Sequence, residues 1–236
     1  DDETPNQIFE HGPYSRSFEQ LYKVMIPNYD DSWAEGMDRN AAEVYLMVMQ
    51  SSFESRCQGF ITWKEQQGFD VRVLRLEELT SPTAANVHAA ILAMYNSEAR
   101  PVYTCIVGNT NNFPVYESWD NYHPPADPYD DDWYYQLLDG TDLMPETFQS
   151  RLPARDGYEL TTMLSKILWY EQTPQTTNTN FYKTALMAAA DYYQSQITVK
   201  EQTAERLTTN LHYGTIHTMY DWNWGSTDDI MDWIEE

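Results

Sequence analysis

Val44-Tyr45-Leu46-Met47-Val48-Met49 is an unbroken apolar run of strand length. A run of that kind suits a strand covered on both faces, as the strands of parallel sheets are. Beyond it the period changes. Phe53, Cys57, Phe60, Ile61 and Lys64 recur at helical spacing, Ser51 or Ser52 can cap the first turn with Glu54 inside it, and Gly68 can close the last. Val71 to Leu76 then reads as a second strand, half alternating. Ser81-Pro82 opens a second helix with proline at its permitted first position, and Val87, Ile91, Leu92 and Tyr95 form its apolar face. Pro101 to Val107 is a third strand, closed by Gly108-Asn109. Strand, helix, strand, helix, strand at this spacing predicts right-handed βαβ units and an α/β fold with a parallel sheet. Sites in such sheets lie beyond the carboxyl ends of the strands, here Gln50-Ser51, Glu77-Glu78 and Gly108-Asn109.

Outward from this block the pattern is looser. Residues 1–42 have weak periodicity, three prolines and scattered aromatics, and read as an extended lead-in, linker or propeptide remnant. Residues 109–133 form a long acidic loop, a length usually reserved for function or disorder. After Trp133 to Leu138 and the turn Asp139-Gly140 come a short strand at Phe148 to Leu152 and a helix over 156–171. A Thr/Asn/Gln-rich linker over 172–180 leads to a second segment: strand 184–189, helix 198–212, strand 215–220 and helix 226–235. The reading is a first subdomain over 43–174 and the start of a second over 175–236, which ends on a crossover helix still owed a strand.

The composition narrows the partners. Of the 236 residues, 37 are acidic and 14 basic, a formal charge of -23. Such a surface repels nucleic acid and anionic membranes. It suits a saline extracellular setting, a cationic partner or a bound divalent cation, or simply maintains solubility. No stretch reaches the apolar length of a membrane span, and the acidic start Asp1-Asp2-Glu3-Thr4-Pro5 is no signal peptide. The missing initiator methionine suggests a processed piece. The two cysteines, Cys57 and Cys105, fall in a helix and an apolar strand and read as buried and structural.

Several blocks carry a family resemblance. Phe60-Ile61-Thr62-Trp63-Lys64, with Gly68-Phe69-Asp70-Val71, resembles the helix end and second strand of the gingipain-type cysteine peptidases. Val107-Gly108-Asn109 with Pro114 resembles their third strand and following loop, Asn109 standing where Asp is usual. The most specific block is Asp132-Trp133-Tyr134, Leu138-Asp139-Gly140-Thr141-Asp142, Pro145 and Arg151-Leu152-Pro153-Ala154, with Glu146 in place of Asp and Ser150 in place of Gly. Tyr170-Glu171 with Pro174 resembles the close of the family's next helix. The resemblance covers about residues 44–234 and implies a caspase/gingipain-like fold in two subdomains, the second truncated. It also implies secretion, calcium binding and peptide-bond hydrolysis by a His–Cys dyad. The family's dyad is placed downstream of this chain, so no catalytic residue is assigned. A pairing of Cys105 with His123 or His217 has no support in the family pattern.

Candidate sites are few. Asp127, Asp130, Asp131, Asp132, Asp139 and Asp142 could supply oxygens to calcium, with Asp130, Asp132, Asp139 and Asp142 the proposed ligands; the alternative is a solvated acidic loop. Asp191, after strand 184–189, stands where a substrate-facing carboxylate would select a basic side chain, or else caps a helix. The five histidines share no metal spacing. Two functions compete. One is a portion of a secreted cysteine endopeptidase, inactive alone, acting on a protein or peptide substrate with a second chain or segment that carries the dyad. The other is a non-catalytic protein that keeps the fold for binding or assembly.

Overall fold

A computed structural model describes residues 14–30, 32–119, 128–140, 142–174, 176–189 and 194–220. The chain divides into two compact units, Asp1–Glu171 and Gln172–Glu236.

The first unit is built on the strand that opened the sequence reading. β1 (Val44–Met49) pairs in parallel with β2 (Asp70–Arg75) on one side and β3 (Pro101–Val107) on the other. β6 (Phe148–Leu152) adds to β3, also in parallel, giving the order β2-β1-β3-β6. Side chains alternate along β1, and both sets are buried. Met47 and Met49 face α2 (Ser51–Gln66) and α4 (Gly157–Gln172), packing with Phe53, Cys57, Phe60, Leu160 and Leu164. Leu46 and Val48 face α3 (Ala84–Tyr95), packing with Val87, Ile91 and Tyr135. Leu46, Met47, Val48 and Met49 each have 0% exposure. Burial on that scale contributes about 2 kcal/mol per side chain, so this strand anchors all three layers.

Local chemistry sets the element ends. Gly68, at φ 94, ends α2 in the left-handed region, where its N–H donates to Glu65 O at 2.9 Å and the Phe69 N–H to Lys64 O at 3.1 Å. α3 begins later than the sequence suggested: Thr83, rather than Ser81-Pro82, caps it by accepting from the Asn86 N–H at 3.3 Å. Pro82 lies before the cap. The long loop over 109–133 is also partly ordered as an antiparallel pair, β4 (Tyr116–Trp119) and β5 (Pro128–Asp131). A 3-10 turn over Trp133–Gln136 follows.

The lead-in is not extended throughout. α1 (Arg16–Met25) is a helix capped by Ser15, which accepts from the Phe18 N–H at 3.2 Å. Its helical signal is local and was hidden between Pro13 and Pro27. The anchor is distant: the Glu43 carboxylate, next to β1, accepts from Ser15 Oγ at 2.7 Å, Ser17 N at 2.8 Å and Ser17 Oγ at 2.7 Å. Tyr103 Oη donates to Ser17 Oγ at 2.8 Å, and Phe18 stacks on Phe148 with ring centroids 4.6 Å apart.

In the second unit β7 (Thr184–Ala189), α5 (Gln194–Leu211) and β8 (Thr215–Tyr220) form one βαβ unit with parallel strands. α5 starts four residues before the sequence-predicted 198. The predicted helix 226–235 lies outside the described residues.

The Glu43 anchor yields a test. Glu43→Ala leaves the Ser15 hydroxyl and the Ser17 amide without their acceptor and is expected to cost about 2 kcal/mol. Hydrogen exchange should then quicken over residues 16–25 before the sheet is affected; uniform loss of protection across the unit would contradict a local anchor.

Candidate functional site

The sheet order places a topological switch point between β1 and β3, where crevices form at the carboxyl ends of the strands. A cavity of about 510 Å3 lies at this edge, lined among others by Gln50 after β1, Leu76 and Glu77 after β2, and Asn111 and Phe113 after β3. The residues around it are fixed by polar contacts that sequence periodicity does not report.

Glu77 closes the start of α2 from another element. Its two carboxylate oxygens each lie 3.0 Å from the Ser51 N–H, and Oε2 accepts from Ser51 Oγ at 2.8 Å. That backbone N–H holds the Glu77 carboxyl below its usual range, as a negative charge at a helix N-terminus should be. The serine thus donates to a cap instead of being one. Glu54, in the first turn, is held by Arg75 through two hydrogen bonds of 2.6 Å.

The exit of β3 is stitched to the exit of β6. Gly108 has φ 130, and a Cβ there would meet Asn112 Oδ1 at 2.4 Å, so only glycine lets the loop fold back so closely. Asn112 Nδ2 donates to Ala154 O and Arg155 O, both at 3.1 Å. Arg151 completes the joint. Its Nε donates to Asp132 Oδ2 at 2.6 Å, its Nη2 to Asp132 Oδ1 at 2.5 Å and its Nη1 to Gly108 O at 2.6 Å. The guanidinium lies over the Phe113 ring, 5.0 Å from its centroid. A planar fork can meet both carboxylate oxygens while stacking on an aromatic face; lysine could not.

A second joint unites two sequence blocks 107 residues apart. Glu171 accepts from Trp63 Nε1 at 2.6 Å and from Lys64 Nζ at 2.9 Å. Both partners lie in blocks that the family resemblance singles out, Trp63-Lys64 and Tyr170-Glu171, but nothing in the sequence shows that the two meet.

The expected site residues fare differently. Asp132 is committed to Arg151, Asp130 lies on β5 opposite Glu117, and Asp142 Oδ1 accepts the Met144 N–H at 2.8 Å. Asp139 donates its backbone N–H to Glu146 Oε2 at 3.1 Å, and Leu138 donates to the same oxygen at 2.5 Å. Among the described residues no group of three or more His, Cys, Asp or Glu side chains is placed to hold a metal ion. Asp127 and Asp191 lie outside the described residues.

Neither cysteine has the setting of a nucleophile. Burial pushes the Cys57 thiol up to about 12, with Cys105 and Glu54 adding to it. Burial also raises Cys105, whose thiol has hydrogen-bonding neighbours in Ser150 and Tyr45. A reactive cysteine needs the opposite environment, partly open and electropositive. His88 places Nε2 2.8 Å from Leu137 O. His217 is on β8 in the second unit, and His123 lies outside the described residues.

A parallel four-stranded sheet between crossover helices, followed by a further βαβ unit, has the architecture of the gingipain-type α/β peptidases. The fold matches the crystal structure of the Arg-specific cysteine proteinase gingipain R with a TM-score of 0.64 and 22% identity, over 83% of this chain and 44% of that one. It matches a complex of RgpB pro- and mature domains from Porphyromonas gingivalis with a TM-score of 0.62 and 22% identity, over 81% of this chain and 44% of that one. The profile of peptidase family C25 covers residues 38–232, and the chain belongs to that family. Among curated relatives, Lys-gingipain W83 of P. gingivalis is 30% identical over 202 residues, 83% of this chain and 11% of that protein. Gingipain R2 of P. gingivalis is 24% identical over 157 residues, 66% of this chain and 20% of that protein. The chain therefore spans a small part of the curated relatives it matches.

Glu146 supplies the prediction here. Burial raises its carboxyl above the ordinary value, outweighing its two backbone donors, and Asp142 and Asp139 push the same way. A carboxyl raised on folding favours the folded state below its unfolded pKa, and that contribution is lost as pH rises through the folded value. Glu146→Gln removes the titration and keeps an acceptor for the two N–H groups. The melting temperature of the variant relative to the parent should therefore shift upward as pH goes from 4 to 7. A difference that stays flat or falls over that range would refute the assignment.

Proposed function

We propose that this chain supplies scaffold for a secreted cysteine endopeptidase of the gingipain type, acting on protein or peptide substrates. In this reading peptide-bond hydrolysis depends on a thiol other than Cys57 and Cys105, and the chain alone is inactive. The observation that carries it is the burial of both thiols in the layer between sheet and helices of a C25-family chain: Cys57 on α2 is 0% and Cys105 on β3 is 2% exposed. A buried thiol raised well above neutral pH stays protonated and cannot attack a scissile carbonyl. The -23 charge and the absence, among the described residues, of any helix able to cross a membrane are compatible with an extracellular setting. Asp191 is proposed to face substrate. Calcium binding is a separate proposal: Asp139 and Asp142 would have to gather further oxygens, since calcium takes about 6–8.

The folded chain should resist peptidyl chloromethyl ketones and iodoacetamide, and both cysteines should label once it is unfolded in denaturant. In a polypeptide that contains this chain and hydrolyses peptides, Cys57→Ala and Cys105→Ala should each keep kcat/KM within about threefold. Rapid stoichiometric labelling of either native thiol, or a loss near the thousandfold expected for a nucleophile, would end the scaffold reading. For calcium, titration calorimetry should give heat and the melting temperature should rise; a silent titration with no shift removes the proposal.

A further inference from the structure

The acidic run after the first subdomain's third strand divides into two groups once its contacts are resolved. Asp131 accepts from Ser118 Oγ at 2.5 Å and from the Trp133 N–H at 2.8 Å. Asp132 is bound by Arg151. Those two carboxylates hold the hairpin together and join it to the sheet. Asp130 and Glu117 do neither. They are direct cross-strand partners in the β4–β5 register, so they project from the same face. Both are exposed, and among the described residues neither side chain makes a hydrogen bond or ion pair.

This arrangement is costly where it sits. Like charges directly opposite on paired strands repel, and a two-stranded sheet has little stability to spare. The other face of the hairpin is well supported. Tyr116 stacks on Tyr134 with ring centroids 3.9 Å apart and planes within 8°, and Tyr134 in turn lies 4.5 Å from the His88 ring. The supported face turns Glu117 and Asp130 outward. Tyr129, which alternates with Asp130 along β5, belongs to the Tyr116 face. Among the described residues β4 and β5 pair only with each other, which leaves an edge of the hairpin without a strand partner there.

We propose that the β4–β5 hairpin is a docking site for an extended, lysine- or arginine-bearing segment of a partner protein, added beside it as a third strand. Backbone groups at the free edge pair with the segment, as in other cases of strand addition. Alternate basic side chains, two residues apart, come to the face that carries Glu117 and Asp130 and neutralise their repulsion. The charge argument selects this occupant. A second copy of the chain would bring another -23, nucleic acid would be repelled, and two carboxylates fall short of a calcium shell. The site belongs to the first unit and does not depend on the peptidase reading.

The experiment is fluorescence anisotropy with a short labelled peptide alternating lysine and valine, the whole chain as receptor, at low salt. The native chain should bind it, and Glu117→Gln with Asp130→Asn should weaken binding about tenfold. The same peptide with its valines replaced by proline keeps its charge but cannot pair its backbone, and should also bind about tenfold more weakly. Without any peptide, the double variant should melt higher than the parent, since repulsion is relieved. Equal affinity for native and double variant, or for the valine and proline peptides, would overturn the proposal. So would a calcium-dependent rise in melting temperature that the double substitution abolishes while peptide binding is unchanged.

Discussion

A strand that must be covered on both faces governs the first unit. Leu46 and Val48 cannot be buried unless α3 lies on one side, and Met47 and Met49 cannot be buried unless α2 and α4 lie on the other. Covering both faces of a parallel sheet requires crossover connections, and their right-handedness fixes where each helix falls. The sheet order β2-β1-β3-β6 puts this strand in the interior and moves the chain's direction of growth from one side of it to the other. The crevice at the carboxyl edge is a geometric consequence of that reversal.

Burial explains the layers but not the loops above them. Those are placed by a few charged side chains joining elements distant in sequence: Glu43 to α1, Glu77 to α2, Asp132 to Arg151 and Glu171 to Trp63 and Lys64. Each carboxylate meets donors that would otherwise be left at a helix end or on a partly buried cation. Losing one partner of such a set costs more than the pair itself contributes, because the other is left uncompensated. This is how an acidic chain with 14 basic residues can still be ordered: several of its few cations are placed where one cation serves several acceptors. Arg151, which binds a carboxylate and a backbone carbonyl at once, is the clearest case.

That division also explains what the sequence could and could not show. Hydrophobic period is a local property, so β1, β3 and β8 were legible to the residue, and α2 and α4 nearly so. α1 carries a local signal, the Ser15 cap and an amphipathic period, but it is short and framed by Pro13 and Pro27, and the Glu43 anchor that fixes it lies 26 residues beyond the Ser17 amide. Ser51 was read as a cap because serine before an apolar helical run usually is one; nothing local shows that Glu77 takes the role. The acidic run was read as one cluster because charge in a string carries no direction. Only the strand register separates Asp130, opposite Glu117, from Asp131 and Asp132, which face bonding partners. Glu146 was passed over as a substitution within a motif, though its burial and its two backbone donors make it the organising acid of its loop.

The thiols show the same logic from the opposite direction. Cys105 sits mid-strand in β3, across from Ser150 on β6 and in the same layer as Cys57 of α2. Raising the reactivity of either would require opening the layer between β1 and α2, where Met47, Met49 and Phe53 are also buried. Exposing a nucleophile there would remove the packing that holds the sheet and helices together. The interior of this unit can therefore be a scaffold or a reactive centre but not both, whereas the backbone at the carboxyl edge is held in place by Gly108, Asn112 and Arg151 without use of that interior.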